Sequence, residues 1–256
     1  MKQLRLTCKR ITIFHLKLKR NMDYIIRIFF RAFFLIRGYR TYRVTTADEQ
    51  AEINAFILKI FREDSSQSAK LMERYADTSA LFVMRHHGQP IAAMRLMNPD
   101  EDCQMQDFWN LRLPEGVLPH RVRELGAMAV AKSYRGKSRL PMQGLLDVAL
   151  QFSRSQGVDW WYASAMQNDY EKFRQFNPNC RELEELPLTP HQEQFRQEYA
   201  THFSRSHKNS VLFLFGLGEG LYLANIKRIL AYKLQKSKAK LTEIFLSRTI
   251  IVPSES

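Results

Sequence analysis

The hydrophobic pattern is most regular between residues 121 and 177. Alternating apolar positions in RVRELGAMAVAK predict a strand over residues 121–132, and the cationic turn SYRGKSRLP follows it. Apolar residues at helical spacing then predict a helix over 142–157, followed by a second strand at 158–166 and a short helix at 167–177. A strand that leads through a cationic turn into a helix directs backbone N–H groups and positive charge at one point, which favours a phosphate-bearing ligand.

A strand and a helix are predicted at the start of the central part of the chain. Residues 42–44 are typical of a strand, and residues 47–62 are typical of an amphipathic helix. Thr46 precedes this helix and Glu49 lies three residues later, so the two predict a capping box.

The remaining strands predict the fold class. Two alternating apolar runs, 80–85 and 90–97, predict a hairpin in which His86 and His87 are turn residues, and SVLFLFGLG predicts a last strand. About six strands, with helices after the first and the fourth, indicate a mixed α/β layer and not a doubly wound parallel sheet.

Residues 98–120 are rich in Asp, Pro and Gly and are predicted to form a loop. The apolar side chains in it, Phe108, Trp109 and Leu111, either wall an acyl or acceptor pocket or cover the core. Trp109 is therefore a candidate substrate-binding residue.

The positive charge is concentrated at the two ends of the chain. The net charge is +13, to which residues 1–43 contribute +11 and residues 221–256 contribute +5, so the part between them carries −3. Clustered positive ends favour an acidic partner such as a membrane leaflet or a carrier protein. Nucleic acid is not an expected partner, because long aliphatic runs interrupt the charges and no nucleic-acid-binding motif occurs.

Both basic ends also carry amphipathic patterns. Residues 22–36 are strongly apolar but too short to span a bilayer, and on a helix Arg20, Arg27 and Arg31 form a narrow basic stripe. No signal-peptide cleavage site follows, so we expect a cytoplasmic protein that lies peripherally on the inner face of the membrane. Packing on the core and docking on an acidic protein are the alternatives. The expected domains are a basic arm at 1–40, a catalytic body at 41–220, and a basic amphipathic helix and tail at 221–256.

Composition indicates one core of ordinary size, since 45% of the 256 residues are hydrophobic. Cys8, Cys103 and Cys180 are far apart in sequence and have no metal-ligand spacing. Neither a metal site nor a disulfide framework is expected.

Three segments together resemble the GCN5-related N-acyltransferase superfamily across about residues 40–220. They are RELGAMAVAKSYRGKSRL, PIAAMRLM and the opening YRTYRVTTADEQAEINAFILKIFRED. Within the superfamily the chain looks most like the bacterial N-acyl amino acid synthases and acyl-homoserine-lactone synthases. The resemblance implies a mostly antiparallel sheet flanked by helices. It also implies a strand that breaks after the residues Met128, Ala129 and Val130, with a splayed backbone that pairs with the pantetheine arm of the acyl donor.

The turn after this strand departs from the superfamily pattern. The usual Arg-x-x-Gly-x-Gly is replaced by Arg135, Ser138 and Leu140, and Pro141 lacks an N–H. The missing glycines disfavour the pyrophosphate of coenzyme A and favour an acyl carrier protein, which is acidic and presents one phosphate. The candidate donor-binding residues of the turn are Arg135, Gly136, Lys137, Ser138 and Arg139, and a solvated basic turn is the alternative.

Glu124 is the candidate general base, because it lies on the donor strand, where partial burial would raise its pKa toward neutrality. A structural ion pair with Arg121 or Arg123 is the alternative. The homoserine-lactone synthases carry an arginine where this chain has Ala127, so a lactone-forming enzyme is less expected.

Two further roles follow from the resemblance and from side-chain chemistry. Tyr170 resembles the tyrosine that protonates the leaving thiolate in the superfamily. The alternatives are that Tyr162 has this role or that Tyr170 only packs in the core. Arg95 is a candidate for binding an acceptor carboxylate through its guanidinium fork, or else forms a salt bridge within the fold.

We therefore expect an acyltransferase that moves a fatty acyl group from acyl carrier protein to the amine of a small acceptor, an amino acid or aminolipid, at an anionic membrane surface. The alternatives are an acetyl-coenzyme A-dependent N-acetyltransferase and a non-catalytic domain that binds lipid or carrier protein.

Overall fold

A computed structural model describes residues 28, 31–32, 34–77, 79–98, 103–135, 140–176, 179–206 and 210–218. The chain divides into two units, and the described residues belong almost entirely to the one that spans Phe29–Gly218. The predicted helix at 221–256 and most of the predicted arm at 1–40 lie outside the described residues.

Seven α-helices and nine strands are assigned in the described part of the chain. The helices are α1 (Ala47–Asp64), α2 (Ser66–Arg74), α3 (Gln104–Phe108), α4 (Leu140–Ser155), α5 (Gln167–Phe176), α6 (Pro190–Glu198) and α7 (Ala200–Ser206). The strands are β1 (Tyr39–Arg43), β2 (Ser79–His86), β3 (Gln89–Met97), β4 (Asn110–Arg112), β5 (Val122–Val130), β6 (Trp160–Met166), β7 (Cys180–Glu182), β8 (Glu184–Leu186) and β9 (Ser210–Gly216).

Within these residues the main sheet has seven strands in the order β1-β2-β3-β5-β6-β9-β7. Neighbouring strands are antiparallel except for β5 and β6, which are parallel and are joined through α4. Strands β4 and β8 form a separate antiparallel ribbon. The prediction of a mixed, mostly antiparallel sheet flanked by helices is confirmed.

Helices cover both faces of the sheet. Helix α1 packs on β3 and β5, whereas α4 packs on β1, β2 and β3. Because side chains alternate along a strand, neighbouring residues reach opposite faces. On β6, Trp161 is buried and donates a hydrogen bond from Nε1 to Ser153 Oγ of α4 at 2.8 Å, while Tyr162 joins the core on the other face. Trp160, the residue before Trp161 on β6, is half-buried, and the Arg181 guanidinium lies over its ring.

The predicted capping box at the start of α1 is wrong. The Thr46 side chain makes no capping hydrogen bond. Glu49 instead accepts a hydrogen bond from Tyr42 Oη and lies 3.4 Å from Arg85 Nη2. Tertiary partners on β1 and β2 therefore bind the carboxylate that the local motif would have used.

The loop predicted at 98–120 contains regular structure. Helix α3 and strand β4 lie within it, and a 3-10 turn at Pro119–Arg121 leads into β5. Phe108 is fully buried, and it packs at a ring-centroid distance of 5.0 Å from Phe195 of α6.

The β2–β3 hairpin closes through a two-residue turn. His86 pairs with Gln89, which leaves His87 and Gly88 as the turn, and both have positive φ angles of 49° and 83°. Two positive φ angles are what a type I′ turn requires, and they match the twist of the flanking strands.

Replacing Gly88 with alanine should destabilise the fold by about 1 kcal/mol, because an L-residue is strained in the left-handed region. A Cβ at Gly88 would meet no atom within 4 Å, so the cost is that of the backbone alone. Urea unfolding of Gly88→Ala checks this. The neighbouring exposed substitution Gln89→Ala is the control, and an equal stability of the two variants would contradict the turn assignment.

Candidate active site

The two parallel strands in the middle of the sheet separate after Glu124. The pairing between β5 and β6 covers Val122–Glu124 and Trp160–Tyr162. Beyond that point β5 continues to Val130 along β3, and β6 continues to Met166 along β9. The facing edges of the two strands therefore present backbone N–H and C=O groups that the sheet ladder does not use.

A β-bulge lies on β5 at the start of this separation. Ala93 pairs with Ala129 and Arg95 pairs with Gly126. The two pairs are therefore three residues apart on β5 but only two residues apart on β3. Ala127 takes up the extra residue with a φ angle of 47°, which is uncommon for a residue other than glycine. The irregularity begins slightly before Met128–Val130, the residues at which the resemblance implied a break.

Glu124 lies at the point where β5 and β6 part. Its side chain is 2% exposed, and one carboxylate oxygen accepts a hydrogen bond from the backbone N–H of Met105 at 3.0 Å. Burial disfavours the charged form and raises the pKa of Glu124 to about 7, although the Met105 N–H acts in the opposite direction.

The arginines considered as ion-pair partners of Glu124 are bound elsewhere. Arg121 forms an ion pair with Asp159 at 2.9 Å. The guanidinium of Arg123 donates hydrogen bonds to the backbone carbonyls of Val122 and His120. The carboxylate of Glu124 is instead held by the segment 103–105.

Cys103 and Tyr162 adjoin Glu124 and were not foreseen as a cluster. Tyr162 is the β6 residue in register with Glu124, and its Oη lies 3.2 Å from Cys103 Sγ. The Cys103 thiol also forms a hydrogen bond with the Glu124 carboxylate. Burial raises the pKa values of both the Cys103 thiol and the Tyr162 phenol, so both groups are protonated hydrogen-bond donors at neutral pH.

A buried carboxylate anchors the short helix α3 that supplies the Met105 N–H. Asp107 accepts a hydrogen bond from Tyr75 Oη at 2.6 Å, lies 3.5 Å from Arg74 Nε and lies 3.4 Å from His191 Nε2. These partners come from the end of α2 and from α6. A five-residue helix cannot hold its own geometry in water, so this network positions the amide that Glu124 uses.

Tyr170 lies at the start of α5, directly after β6. It is buried, and its ring centroid is 5.1 Å from that of Phe213. Burial, with a further contribution from the charge of Glu182, raises the pKa of Tyr170 to about 12. Phe213 alternates with the core residues Leu212 and Leu214 on β9, so Tyr170 packs on the sheet face opposite Tyr162.

The base of the cationic turn is ordered by two hydrogen bonds. Arg135 is exposed and donates from Nε to the carbonyl of Val130 at 2.8 Å, which brings its guanidinium back toward the end of β5. Tyr134 Oη lies 2.6 Å from His86 Nδ1 on the hairpin. The other candidate residues of the turn, Gly136, Lys137, Ser138 and Arg139, lie outside the described residues.

Arg95 is fully buried beneath helices α1 and α2. Its Nη2 donates to Asn54 Oδ1 at 2.8 Å, its Nη1 donates to the carbonyl of Met72, and burial lowers its pKa to about 10. Its Nε has no hydrogen-bond partner among the described atoms. These contacts tie β3 to the helices through two neutral acceptors, and the binding of an acceptor carboxylate by Arg95 stays a prediction.

A cavity of about 280 Å³ opens beside the Glu124 cluster. Trp109 lines it and, like Phe108, also belongs to the buried core, and its role in binding a substrate stays a prediction. The lining residues are Met105, Gln106, Trp109, Asn110, Leu111, Leu113, Pro119, Val122, Tyr162 and Gln192.

The described residues contain no group of three or more His, Cys, Asp or Glu side chains placed to hold a metal ion. No helix among them has the length and apolar character needed to cross a bilayer.

Neither the protein-family models nor the curated proteins gave a match to the chain. Solved structures that resemble it include a candidate N-acetyltransferase from Lactobacillus plantarum, with 15% identity, 71% of this chain and 99% of that chain covered, and a TM-score of 0.45. FeeM, an N-acyl amino acid synthase from uncultured soil microbes, is 7% identical to this chain. The match covers 70% of this chain and 91% of FeeM, with a TM-score of 0.45. GCN5 of Tetrahymena is 10% identical, and the match covers 70% of this chain and 97% of GCN5, with a TM-score of 0.44.

FeeM is a synthase of the kind that the sequence resemblance indicated.

Replacing Glu124 with glutamine should stabilise the fold at pH 8 and leave it nearly unchanged at pH 4. Folding raises the pKa of Glu124 to about 7, above an ordinary value of about 4.3. The stability that the protonated group contributes is fully present below its unfolded pKa and is lost as the pH rises through 7. The advantage of Glu124→Gln should therefore grow by roughly 1 kcal/mol per pH unit between about pH 4.3 and pH 7 and level off above pH 7.

Urea unfolding of wild type and Glu124→Gln between pH 4 and pH 8 measures this difference in stability. The contributions of the other titrating groups are common to both proteins and cancel in the difference. Glu115→Gln, at an exposed turn, is the matched control. A difference between wild type and Glu124→Gln that stays constant with pH would contradict the burial account.

Proposed function

We propose that the chain is an N-acyltransferase that transfers an acyl group from a phosphopantetheine thioester to an amine. The observation that supports this most strongly is the separation of β5 from β6 directly after Glu124. The separation leaves a slot lined by backbone hydrogen-bonding groups, and beside this slot lies the Glu124 carboxyl group, whose pKa is raised to about 7. A donor with an amide-rich arm and a reaction that needs a base near neutral pH match these two properties.

The residues at the slot suggest how the reaction proceeds. The amides of the pantetheine arm pair with the free edge of β5, and N–H groups near Met128–Val130 stabilise the oxyanion of the attacked thioester carbonyl. The amine nitrogen forms the new C–N bond and passes its proton through water to Glu124. The C–S bond breaks, and the thiolate takes a proton from a tyrosine, so that an amide and a free thiol are produced.

Two tyrosines are candidates for this proton donor. Tyr170 has the position that the resemblance assigns to the acid, whereas Tyr162 is in register with Glu124. Both phenols remain protonated at neutral pH, because burial raises their pKa values.

The preferred donor in this proposal is acyl carrier protein. Ser138, Leu140 and Pro141 stand where close backbone approach to a pyrophosphate needs glycine and a free N–H. Arg135, Lys137 and Arg139 supply charge for an acidic carrier with one phosphate. The basic ends, 1–40 and 221–256, are proposed to hold the enzyme at the anionic inner face of the membrane, where a small amine or aminolipid accepts the chain.

The proposal is tested by expressing the chain in a bacterial host and analysing the lipid extract by mass spectrometry. We expect fatty N-acyl species that are lost in Glu124→Gln, together with a purified enzyme that uses acyl carrier protein in preference to acyl-coenzyme A. Activity with acetyl-coenzyme A alone would establish the acetyltransferase alternative. Binding of acyl carrier protein or lipid without any acyl transfer would establish a non-catalytic domain.

Lys137→Glu should raise the KM for the acyl carrier protein donor roughly tenfold with little change in kcat, because it opposes charge-steered encounter. The KM of the wild type should also rise more steeply with salt than that of the variant. Steady-state kinetics at several salt concentrations check both expectations. Lys59→Glu on the exposed side of α1 makes the same charge change and is the control.

The membrane part of the proposal is tested with Arg20 and Arg27. Arg31 is unsuitable, because it lies 2.7 Å from Gln151 Oε1 and 3.6 Å from Asp147 on α4. The double variant Arg20→Glu/Arg27→Glu should lose most of its co-sedimentation with anionic vesicles, by about 1 kcal/mol or more for each residue. Sedimentation equal to that of wild type would reject the anchor, and neutral vesicles are the control.

A further inference from the structure

We infer that the cavity beside Glu124 receives the hydrocarbon end of a medium-length fatty acyl chain. This inference rests on the proposed acyl transfer and adds the substrate class of the same site. The cavity has a volume of about 280 Å³, and Trp109, Leu111 and Tyr162 are among the residues that line it.

The lining has no ionisable side chain other than the Tyr162 phenol. An amino acid acceptor brings an ammonium and a carboxylate, each of which needs a charged or hydrogen-bonding partner when it leaves water. A hydrocarbon chain needs no such partner and gains free energy from the apolar side chains. The cavity is therefore suited to the acyl chain and not to the acceptor.

Three polar side chains of the lining make hydrogen bonds within the fold. Asn110 Nδ2 donates to the carbonyl of Pro187 at 2.8 Å, and Tyr162 Oη is hydrogen-bonded to Cys103 Sγ. Gln192 donates from Nε2 to the carbonyls of Gln106 and Trp109, and its Oε1 accepts from the backbone N–H of Thr189. Asn110 and Gln192 thus hold the wall of the cavity, and the Tyr162 phenol is the polar group that lies beside Glu124.

The cavity adjoins the reacting centre through three of its lining residues. Met105 donates its backbone N–H to Glu124, Val122 precedes Glu124 by two residues on the same strand face, and Tyr162 pairs with Glu124 across the sheet. None of the bulge residues Gly126–Val130 lines the cavity, which lies on the other side of Glu124 along β5. The acyl chain extends from the thioester carbonyl, so a chain whose thioester is held near the bulge would pass Glu124 to enter this apolar space.

The volume suggests a chain of medium length. A dry cavity of about half this size accepts benzene, and a water-sized group takes about 30 Å³, so the space holds about eight to ten methylene groups. The ribbon formed by β4 and β8 closes this region, with Leu111 opposite Glu185. Arg112–Glu184 at 3.3 Å and an ion pair between Arg196 and Glu185 hold the ribbon in place.

Direct binding of saturated fatty acids from four to sixteen carbons tests the assignment without requiring catalysis. The full-length chain is titrated below the critical micelle concentration and followed by calorimetry. The affinity should rise about fourfold for each added methylene and level off at about ten carbons. Equal affinity for butanoate and decanoate would overturn the assignment.

Variants of the ribbon locate the binding site. Leu111 is half-buried, and Leu111→Ala should move the plateau to chains about two carbons longer, whereas Leu113→Trp should weaken decanoate binding about tenfold and spare hexanoate. Leu118 is 49% exposed and is not part of the lining, so Leu118→Ala is the matched control. If the plateau is unchanged in Leu111→Ala and Leu113→Trp, both folded by circular dichroism, the cavity is not the chain site.

The two proposals fail in different ways. Length-dependent binding that responds to Leu111 and Leu113, without transfer to any amine, would contradict the enzyme and leave the chain site intact. Acyl transfer whose length preference ignores both leucines would contradict the chain site and leave the enzyme intact.

Discussion

The hydrogen bond between the Met105 backbone N–H and the buried carboxylate of Glu124 is the interaction on which the site depends. It joins the strand that carries the candidate base to a short helix that arrives from outside the main sheet. Without a donor of this kind, a carboxylate that is 2% exposed would be held neutral far above neutral pH. Burial raises the pKa of Glu124, and hydrogen bonds from the backbone of Met105 and Gln104 and from the Cys103 thiol oppose it, which leaves the pKa at about 7.

The surrounding structure serves to keep this arrangement in place. Asp107 fastens α3 between α2 and α6 through Tyr75, Arg74 and His191, and this fixes the position of the Met105 N–H. Gly126 contributes by lacking a side chain, since a Cβ there would lie 3.1 Å from Glu124 Oε1. The bulge at Ala127 then turns β5 away from β6 and leaves the slot open.

Sequence patterns predicted the elements that are long and regular. Strands β3, β5 and β9 alternate or run apolar over seven to nine residues, so their positions along the chain could be predicted. Helix α3 and strand β4 were missed, because five and three residues carry no measurable periodicity. The capping box failed because Glu49 found tertiary partners, which no local motif can anticipate.

Some residues of the candidate site could likewise be named from the sequence, and others could not. Glu124 and Tyr170 could be named because they stand at fixed offsets from a recognisable strand and helix. Cys103, Met105 and Asp107 lie about twenty residues from Glu124 along the chain, in a segment that looked like loop, and only the fold brings them to it. Arg95 shows the converse, since a guanidinium that looked suited to a substrate is held by Asn54 and the carbonyl of Met72.

Hydrogen–deuterium exchange of the β5 amides, with and without a non-hydrolysable acyl-pantetheine thioester analogue, tests the central claim most directly. If the donor arm occupies the slot between β5 and β6, exchange should slow in the peptide that covers Gly126–Val130 and stay unchanged in the β2–β3 hairpin. Unchanged exchange in Gly126–Val130 at a saturating concentration of the analogue would contradict the assignment of this slot to the acyl donor.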